Sequence, residues 1–322
     1  MKKLPTVSVL LPVYNCGKYL KNSIDSVINQ THGDLEVLLI YDDSKDNTLE
    51  IIENYARVDD RVKIIHSDKS GITGALNKGL KVASGEYIAR MDADDVSMPD
   101  RFEQQIGHLI STGADVCGCH FFIIDEKGGY IDAIILPCGK NDIFVEMASG
   151  VPFAHGSVII RTEFVRKNKL FYGSDEFKYV EDYDFWVRMY DAGAKFTNLN
   201  KWLYMYRVHE KSLSRILHKK VLHDAVMVSN KYIRGHIEEI NDLIVSNDFT
   251  FCSRRDEGTR SYIIFILIIF YFKVSLLRKL FFYSQKAVLY GFFKVLRYSK
   301  ELTKIIALRR YYAILKLIHI KF

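Results

Sequence analysis

The chain has 322 residues, 48% hydrophobic and 26% charged, which suits a globular protein with a substantial core in one large domain or two smaller ones. Its net charge of +6 conceals an asymmetry: residues 253–322 hold 15 Lys and Arg against three Asp and Glu, while the first 252 hold 30 against 36. An acidic front part of that size excludes a nucleic-acid binder as the main reading, and the basic tail suits an anionic membrane surface. Five scattered cysteines, with no C-x-x-C pair, point to free thiols in a reducing compartment. Met1-Lys2-Lys3 leads directly into a short apolar run broken by Pro12, so no secretory signal is expected.

The elements follow in chain order. Thr6 to Val13 reads as a buried strand, Tyr14 to Gly17 as a loop, and Tyr19 to Asn29 as a helix with Leu20, Ile24, Val27 and Ile28 on one side. Leu35 to Tyr41 is a second apolar strand that stops at Asp42-Asp43-Ser44. A helix from Asn47 or Thr48, a strand over Val62 to His66 and a glycine-rich helix from Gly71 to Val82 come next. A strand from Glu86 to Met91 runs into Asp92-Ala93-Asp94-Asp95, and Ser97 with Asp100 is expected to cap the following helix.

Four strand–helix alternations predict a parallel, doubly wound α/β sheet. Ligands of such sheets bind beyond the carboxyl ends of the strands, where this chain places Tyr14-Asn15, Asp42-Asp43-Ser44, Ser67-Asp68 and the 92–95 acids. No G-x-G-x-x-G follows the first strand, which disfavours a dinucleotide fold of the usual kind and a nucleotidyltransferase. Three carboxylates within four residues are costly to bury unpartnered, and their natural partner is a hard divalent cation that also binds a diphosphate. Further on, Phe121 to Leu136 reads as a hairpin turning at Asp125 to Gly129. Val158 to Ile160 is a strand preceded by His155-Gly156-Ser157, and a helix opens at Glu181-Asp182.

Three segments, Val7 to Asn15, Tyr41 to Thr48 and Met91 to Asp95, resemble the N-terminal signatures of family 2 glycosyltransferases. Gly71 to Leu80, Glu181-Asp182-Tyr183-Asp184-Phe185-Trp186-Val187-Arg188 and Tyr206-Arg207-Val208-His209 resemble later segments of that family, although the usual leading Asn-x-Gly here reads Lys69-Ser70-Gly71. The resemblance spans about residues 5 to 215 and implies a GT-A fold, a Rossmann-like and mostly parallel central sheet flanked by helices. It implies an inverting, metal-dependent enzyme that moves a sugar from a nucleotide-sugar donor to a hydroxyl of a glycan or lipid-linked acceptor, of the bacterial surface-polysaccharide type. Tyr14 and Asp43 would hold the base, Tyr14 by stacking and Asp43 by accepting the N3–H of uracil, which favours UDP over GDP; the alternative is a GDP- or dTDP-sugar transferase with another acceptor. Pro12 belongs to the same donor-binding set. Asp94, with Mn²⁺ or Mg²⁺, would hold the diphosphate, and Asp92 the ribose or a metal-bound water. Asp95 faces the acceptor or caps the next helix. Asp182 would be the general base, with Glu181 and His155 on the acceptor side. Arg207 or His209 would reach the diphosphate from a closing lid, and His209 is also a candidate metal ligand.

The catalytic domain is thus expected over 1–215 and a helical, basic extension over 216–322. Tyr262 to Phe272 is an apolar run of half the length needed to span a bilayer. Beyond it, Lys286, Lys294, Arg297 and Lys304 fall opposite Val288, Phe292, Val295, Leu302 and Ile306 on a helical wheel, as in a helix lying on an anionic membrane. This predicts a cytoplasmic protein on the inner face of the cell membrane; the alternative for the tail is packing on the catalytic domain or in a homodimer. The competing reading from another class is a non-catalytic nucleotide-sugar-binding membrane scaffold, against which the retained Asp92, Asp94 and Asp182 argue.

Overall fold

The computed structural model describes residues 6–246 apart from 69, 149, 175, 178 and 211–217. The tail helices expected beyond residue 252 lie outside these described residues. Continuous apolar runs form β1 (Val7–Val13) and β2 (Leu35–Tyr41), both buried almost throughout, as strands covered on two faces must be. With β3 (Val62–His66) and β4 (Tyr87–Arg90) they pair in parallel in the order β3-β2-β1-β4. The crossovers are α1 (Gly17–Ile28), α2 (Thr48–Val58) and α3 (Gly71–Val82). Leu20, Ile24 and Val27 recur at helical spacing on α1 and pack into the same core as Val9, Leu11, Val37 and Leu39. Strand order reverses beside β1, so the loops after β1, β2 and β4 converge at one sheet edge.

The second half of the sheet is mixed. It contains β5 (Val96–Ser97), α4 (Arg101–Thr112), β6 (Val116–Ile124), β7 (Tyr130–Ile134), α5 (Lys140–Glu146) and a 3₁₀ turn (His155–Ser157). Then come β8 (Ile159–Arg161), α6 (Thr162–Lys167), α7 (Glu181–Asp191) and β9 (Phe196–Arg207). Strand β8 runs antiparallel between β4 and β6, β9 runs parallel to β6, and β6–β7 is the expected hairpin. Asp125 Oδ1 closes its turn by accepting the N–H groups of Lys127 and Gly129, each at 2.8 Å.

The helix start expected at Ser97 is corrected. Val96 and Ser97 pair with Met205 and Tyr204 of β9, and Met98 N–H donates to the Leu203 carbonyl, so the backbone is extended there; Asp100 precedes the helix instead. Tertiary pairing has overridden a local capping signal. Cys117 and Cys119 are buried in β6, where loss of water pushes their thiols up to about 12 and about 11; the four described cysteines are free.

Two helices follow, α8 (His218–Gly235) and α9 (Ile237–Ser246). The chain through Tyr232, together with 243–246, forms one compact unit, and Ile233–Asp242 belongs to a second. Within the first, Ser229 Oγ donates to the Ala148 carbonyl at 2.7 Å and Tyr232 Oη to that of Phe144 at 3.0 Å. This first unit continues past residue 215, itself outside the described residues. Among the described residues no helix is long and apolar enough to cross a membrane.

Candidate active site

The loops after β1 and β2 are stapled together. Asn15 N–H donates to Ser44 Oγ (3.0 Å), Lys45 N–H to Asn15 Oδ1 (2.8 Å), Cys16 N–H to Thr48 Oγ1 (3.0 Å) and Gly17 N–H to Asp46 Oδ2 (3.0 Å). Asn15 takes a left-handed φ of 46°, which Asn tolerates better than most side chains. Gly17 lies so close to the next loop that a Cβ there would overlap Asn47 Oδ1. This frame leaves Tyr14 59% exposed and Asp43 exposed at the mouth of a cleft of about 280 Å³ lined by Tyr41, Asp42, Asp43, His66, Ser67 and Asp68. Pro12 lies just inside the edge, paired with Ile40 in the sheet.

The acid cluster sorts into three environments. Asp92 Oδ2 is paired with Arg90 Nη1. Asp94 is partly exposed, and its Oδ2 lies 2.8 Å from His209 Nε2 at the end of β9. Asp95 is 1% exposed: its Oδ2 accepts from Tyr204 Oη (2.6 Å) and its Oδ1 from Arg207 N–H (2.7 Å). Burial, with the neighbouring Asp94 charge, pushes its carboxyl up to about 7. Asp95 thus neither faces an acceptor nor caps a helix; it ties the acid loop to β9. Arg207 is corrected in the same way. It is 4% exposed and spends Nε on the Asp94 carbonyl (2.7 Å) and Nη1 on those of Asp125 and Glu126, with its guanidinium over Tyr19. It braces the acid loop and the hairpin from inside rather than closing over a diphosphate.

Asp94 and His209 bring a carboxylate oxygen and an imidazole nitrogen together at a partly open surface, a donor pair that suits Mn²⁺ or Mg²⁺. Among the described residues no group of three or more His, Cys, Asp or Glu could hold a metal, so the remaining positions would fall to the ligand and water. Asp92, the other acid named as a candidate metal ligand, is engaged by Arg90.

The acceptor-side candidates lie around the 3₁₀ turn and α7. Glu181, Asp182 and Asp184 occupy the first helical turn, where the helix dipole favours them, and Asp182 Oδ1 accepts from Tyr183 N–H at 2.8 Å. Burial and the adjacent Asp182 charge push Glu181 up to about 7; burial also raises Asp182, opposed by that amide and by the Arg90 charge. His155 Nε2 sits 3.2 Å from Tyr172 Oη, and burial, reinforced by Arg90, keeps its imidazole neutral. Gly156 has no room for a side chain: a Cβ would overlap Tyr204 Oη and approach Asp92 Oδ2 to 3.0 Å.

Several positioning groups were assigned no role by the sequence. Tyr172 is fixed by Asn77 of α3, which both donates to its carbonyl (2.9 Å) and accepts its N–H (2.7 Å). Arg188 Nε holds Asp184 (2.9 Å) while Nη2 holds the Phe171 carbonyl (2.7 Å), joining this loop to α7. Tyr204 and Arg101 are buried beneath the acid loop. The available signals were the family-like segments that hold Asn77 and Arg188, and Arg90, a charge in a strand otherwise read as apolar.

A conserved-domain description, glycosyl transferase family 2, matches residues 8–168, half of the chain. An uncharacterized glycosyltransferase of Haemophilus influenzae is 33% identical over 77% of this chain and 79% of its own length. The O-antigen biosynthesis glycosyltransferase WbnJ of Escherichia coli is 30% identical over 67% of this chain and 84% of its own. Among solved structures, S. aureus TarS 1-349 in complex with UDP-GlcNAc superposes with a TM-score of 0.55 at 18% identity, over 82% of this chain and 80% of that one. The family match and these relatives define a glycosyltransferase. The chain belongs to glycosyl transferase family 2.

Proposed function

We propose that this protein is an inverting, metal-dependent glycosyltransferase that moves a sugar from a UDP-sugar to a hydroxyl of a glycan or lipid-linked acceptor in surface-polysaccharide synthesis. The observation that supports this is the division of the site into a partly open Asp94–His209 pair and a half-buried Glu181–Asp182 pair at the start of α7. Tyr14 offers a face for the base, and Asp43 a carboxylate that accepts from uracil N3–H. Asp94 and His209 would hold the cation, which when bound neutralises charge on the departing diphosphate. Asp182 takes the proton of the acceptor hydroxyl as that oxygen bonds to the anomeric carbon; the bond to the β-phosphate oxygen breaks and its electron pair leaves with UDP. Attack from the face opposite the leaving group inverts the anomeric centre. Polysaccharide as the setting is supported by WbnJ, an O-antigen enzyme, and UDP by the TarS complex together with Asp43. Association of the basic tail with an anionic membrane rests on its charge and pattern.

Purified protein incubated with a panel of UDP-, GDP- and dTDP-sugars and Mn²⁺ is expected to release nucleoside diphosphate from UDP-sugars at least about tenfold faster than from the others, a difference of about 1.4 kcal/mol. Faster turnover of a GDP-sugar would overturn the role given to Asp43.

A further inference from the structure

Strand β4 ends in a charge. Arg90 is 5% exposed, and neither its Nε nor its Nη1 makes a hydrogen bond. A guanidinium stripped of water is costly unless the charges around it offset the loss. On the donor side Nη1 meets Asp92 Oδ2. Toward the acceptor side, Arg90 N–H donates to the Val158 carbonyl (3.0 Å), beside the 3₁₀ turn that carries His155 and Gly156. The same turn is held by Arg101, whose Nη1 donates to the Gly156 carbonyl (2.8 Å) and Nη2 to that of Arg90 (3.2 Å). Gly156 in turn leaves room for Asp92 and Tyr204. Arg90 therefore sits where the acid loop and the 3₁₀ turn meet, and His155 of that turn packs edge-on against Trp186 of α7 with ring centroids 6.0 Å apart.

We propose that Arg90 is a positioning residue for glycosyl transfer: one buried guanidinium holds Asp92 on the donor side and faces Glu181 and Asp182 on the acceptor side, setting the two carboxylate groups against each other. The inference rests on the assignment of Asp182 as base. Its charge favours the ionised forms of both Glu181 and Asp182, against the burial that opposes them. The other groups it acts on are His155, which it helps to keep neutral, and Tyr172, Asp95 and Tyr204. A base that must be ionised before the acceptor arrives gains from a fixed cation that is neither substrate nor metal.

The test compares full-length Arg90→Met and Arg90→Lys, using the nucleotide sugar turned over fastest in the donor panel. Loss of the cation raises the pKa of the base, so the acidic limb of kcat/KM against pH moves to higher pH. For Arg90→Met a limb shift of about one unit is expected, with kcat at neutral pH reduced about a hundredfold and donor KM within about threefold. Arg90→Lys is expected to place the limb between those of the native enzyme and Arg90→Met and to recover kcat to within about tenfold. A limb that stays in place in Arg90→Met overturns the proposal, whatever happens to kcat. Should Arg90→Met not fold, Arg90→Gln retains groups for Asp92 without the charge and is expected to shift the limb equally; an unmoved limb there overturns the proposal too. Asp182→Asn separates the two inferences. If it retains turnover, the base assignment fails; if it is inactive while the limb of Arg90→Met is unmoved, only the role of Arg90 fails.

Discussion

Asp182→Asn is expected to reduce sugar transfer by about a thousandfold while UDP affinity stays within about threefold of the native value. The substitution is nearly isosteric. Asn keeps an oxygen to accept from Tyr183 N–H, so the first turn of α7 should hold its shape. What it loses is the ability to take a proton. Glu181, pushed up to about 7 by burial and by Asp182 itself, is the group best placed to supply the residual rate, because removing the Asp182 charge makes it easier to ionise. The pH dependence has a definite sign. Burial raises the pKa of Asp182, so the native enzyme should lose activity on acidification at a higher pH than an ordinary carboxylate would allow. UDP release measured across pH, alongside titration calorimetry with UDP, checks both halves. Retained turnover in Asp182→Asn removes it as the base.

Asp94→Asn is expected to lose about a thousandfold in Mn²⁺-supported donor turnover, the order of magnitude for removing a cation that stabilises a departing diphosphate. A readout independent of turnover accompanies it. UDP and Mn²⁺ together should raise the Tm of the native protein more than either alone, since a ligand that binds only the folded state stabilises it by mass action. Asp94→Asn should abolish the Mn²⁺-dependent part of that rise and keep the part due to UDP. His209→Ala should behave similarly but more mildly, because Asp94 retains one charged ligand oxygen while the imidazole 2.8 Å away is lost. An undiminished Mn²⁺ response in Asp94→Asn would mean that the cation, if used, is held elsewhere.

Much of the fold was legible because parallel strands buried on both faces must be largely apolar, and β1 and β2 are, save for Ser8 and Glu36, which hydrogen-bond to each other at 2.6 Å. The convergence of Tyr14, Asp43 and the 92–95 acids on one edge followed from alternation alone. What the pattern did not contain was the direction of individual side chains. Asp94 and Asp95 are neighbours in sequence, yet one faces outward to His209 and the other inward to Tyr204 and the Arg207 amide. That division depends on β9, more than a hundred residues later. Arg207 was misread for the same reason: an arginine beside a phosphate motif suggests a ligand contact, whereas here three backbone carbonyls claim it. The short β5 was missed because two residues carry no period, and its partner is equally distant. Asn77 gripping Tyr172 and Arg188 gripping Phe171 are likewise long-range ties between segments whose sequences give no hint of each other.

The central claim is a single displacement, with Asp182 preparing the nucleophile on the face opposite the diphosphate. ¹H NMR of the sugar released from an α-linked UDP-sugar, recorded before mutarotation erases the signal, tests it most directly. The account predicts that the β-anomer appears first. Initial release of the α-anomer would contradict it.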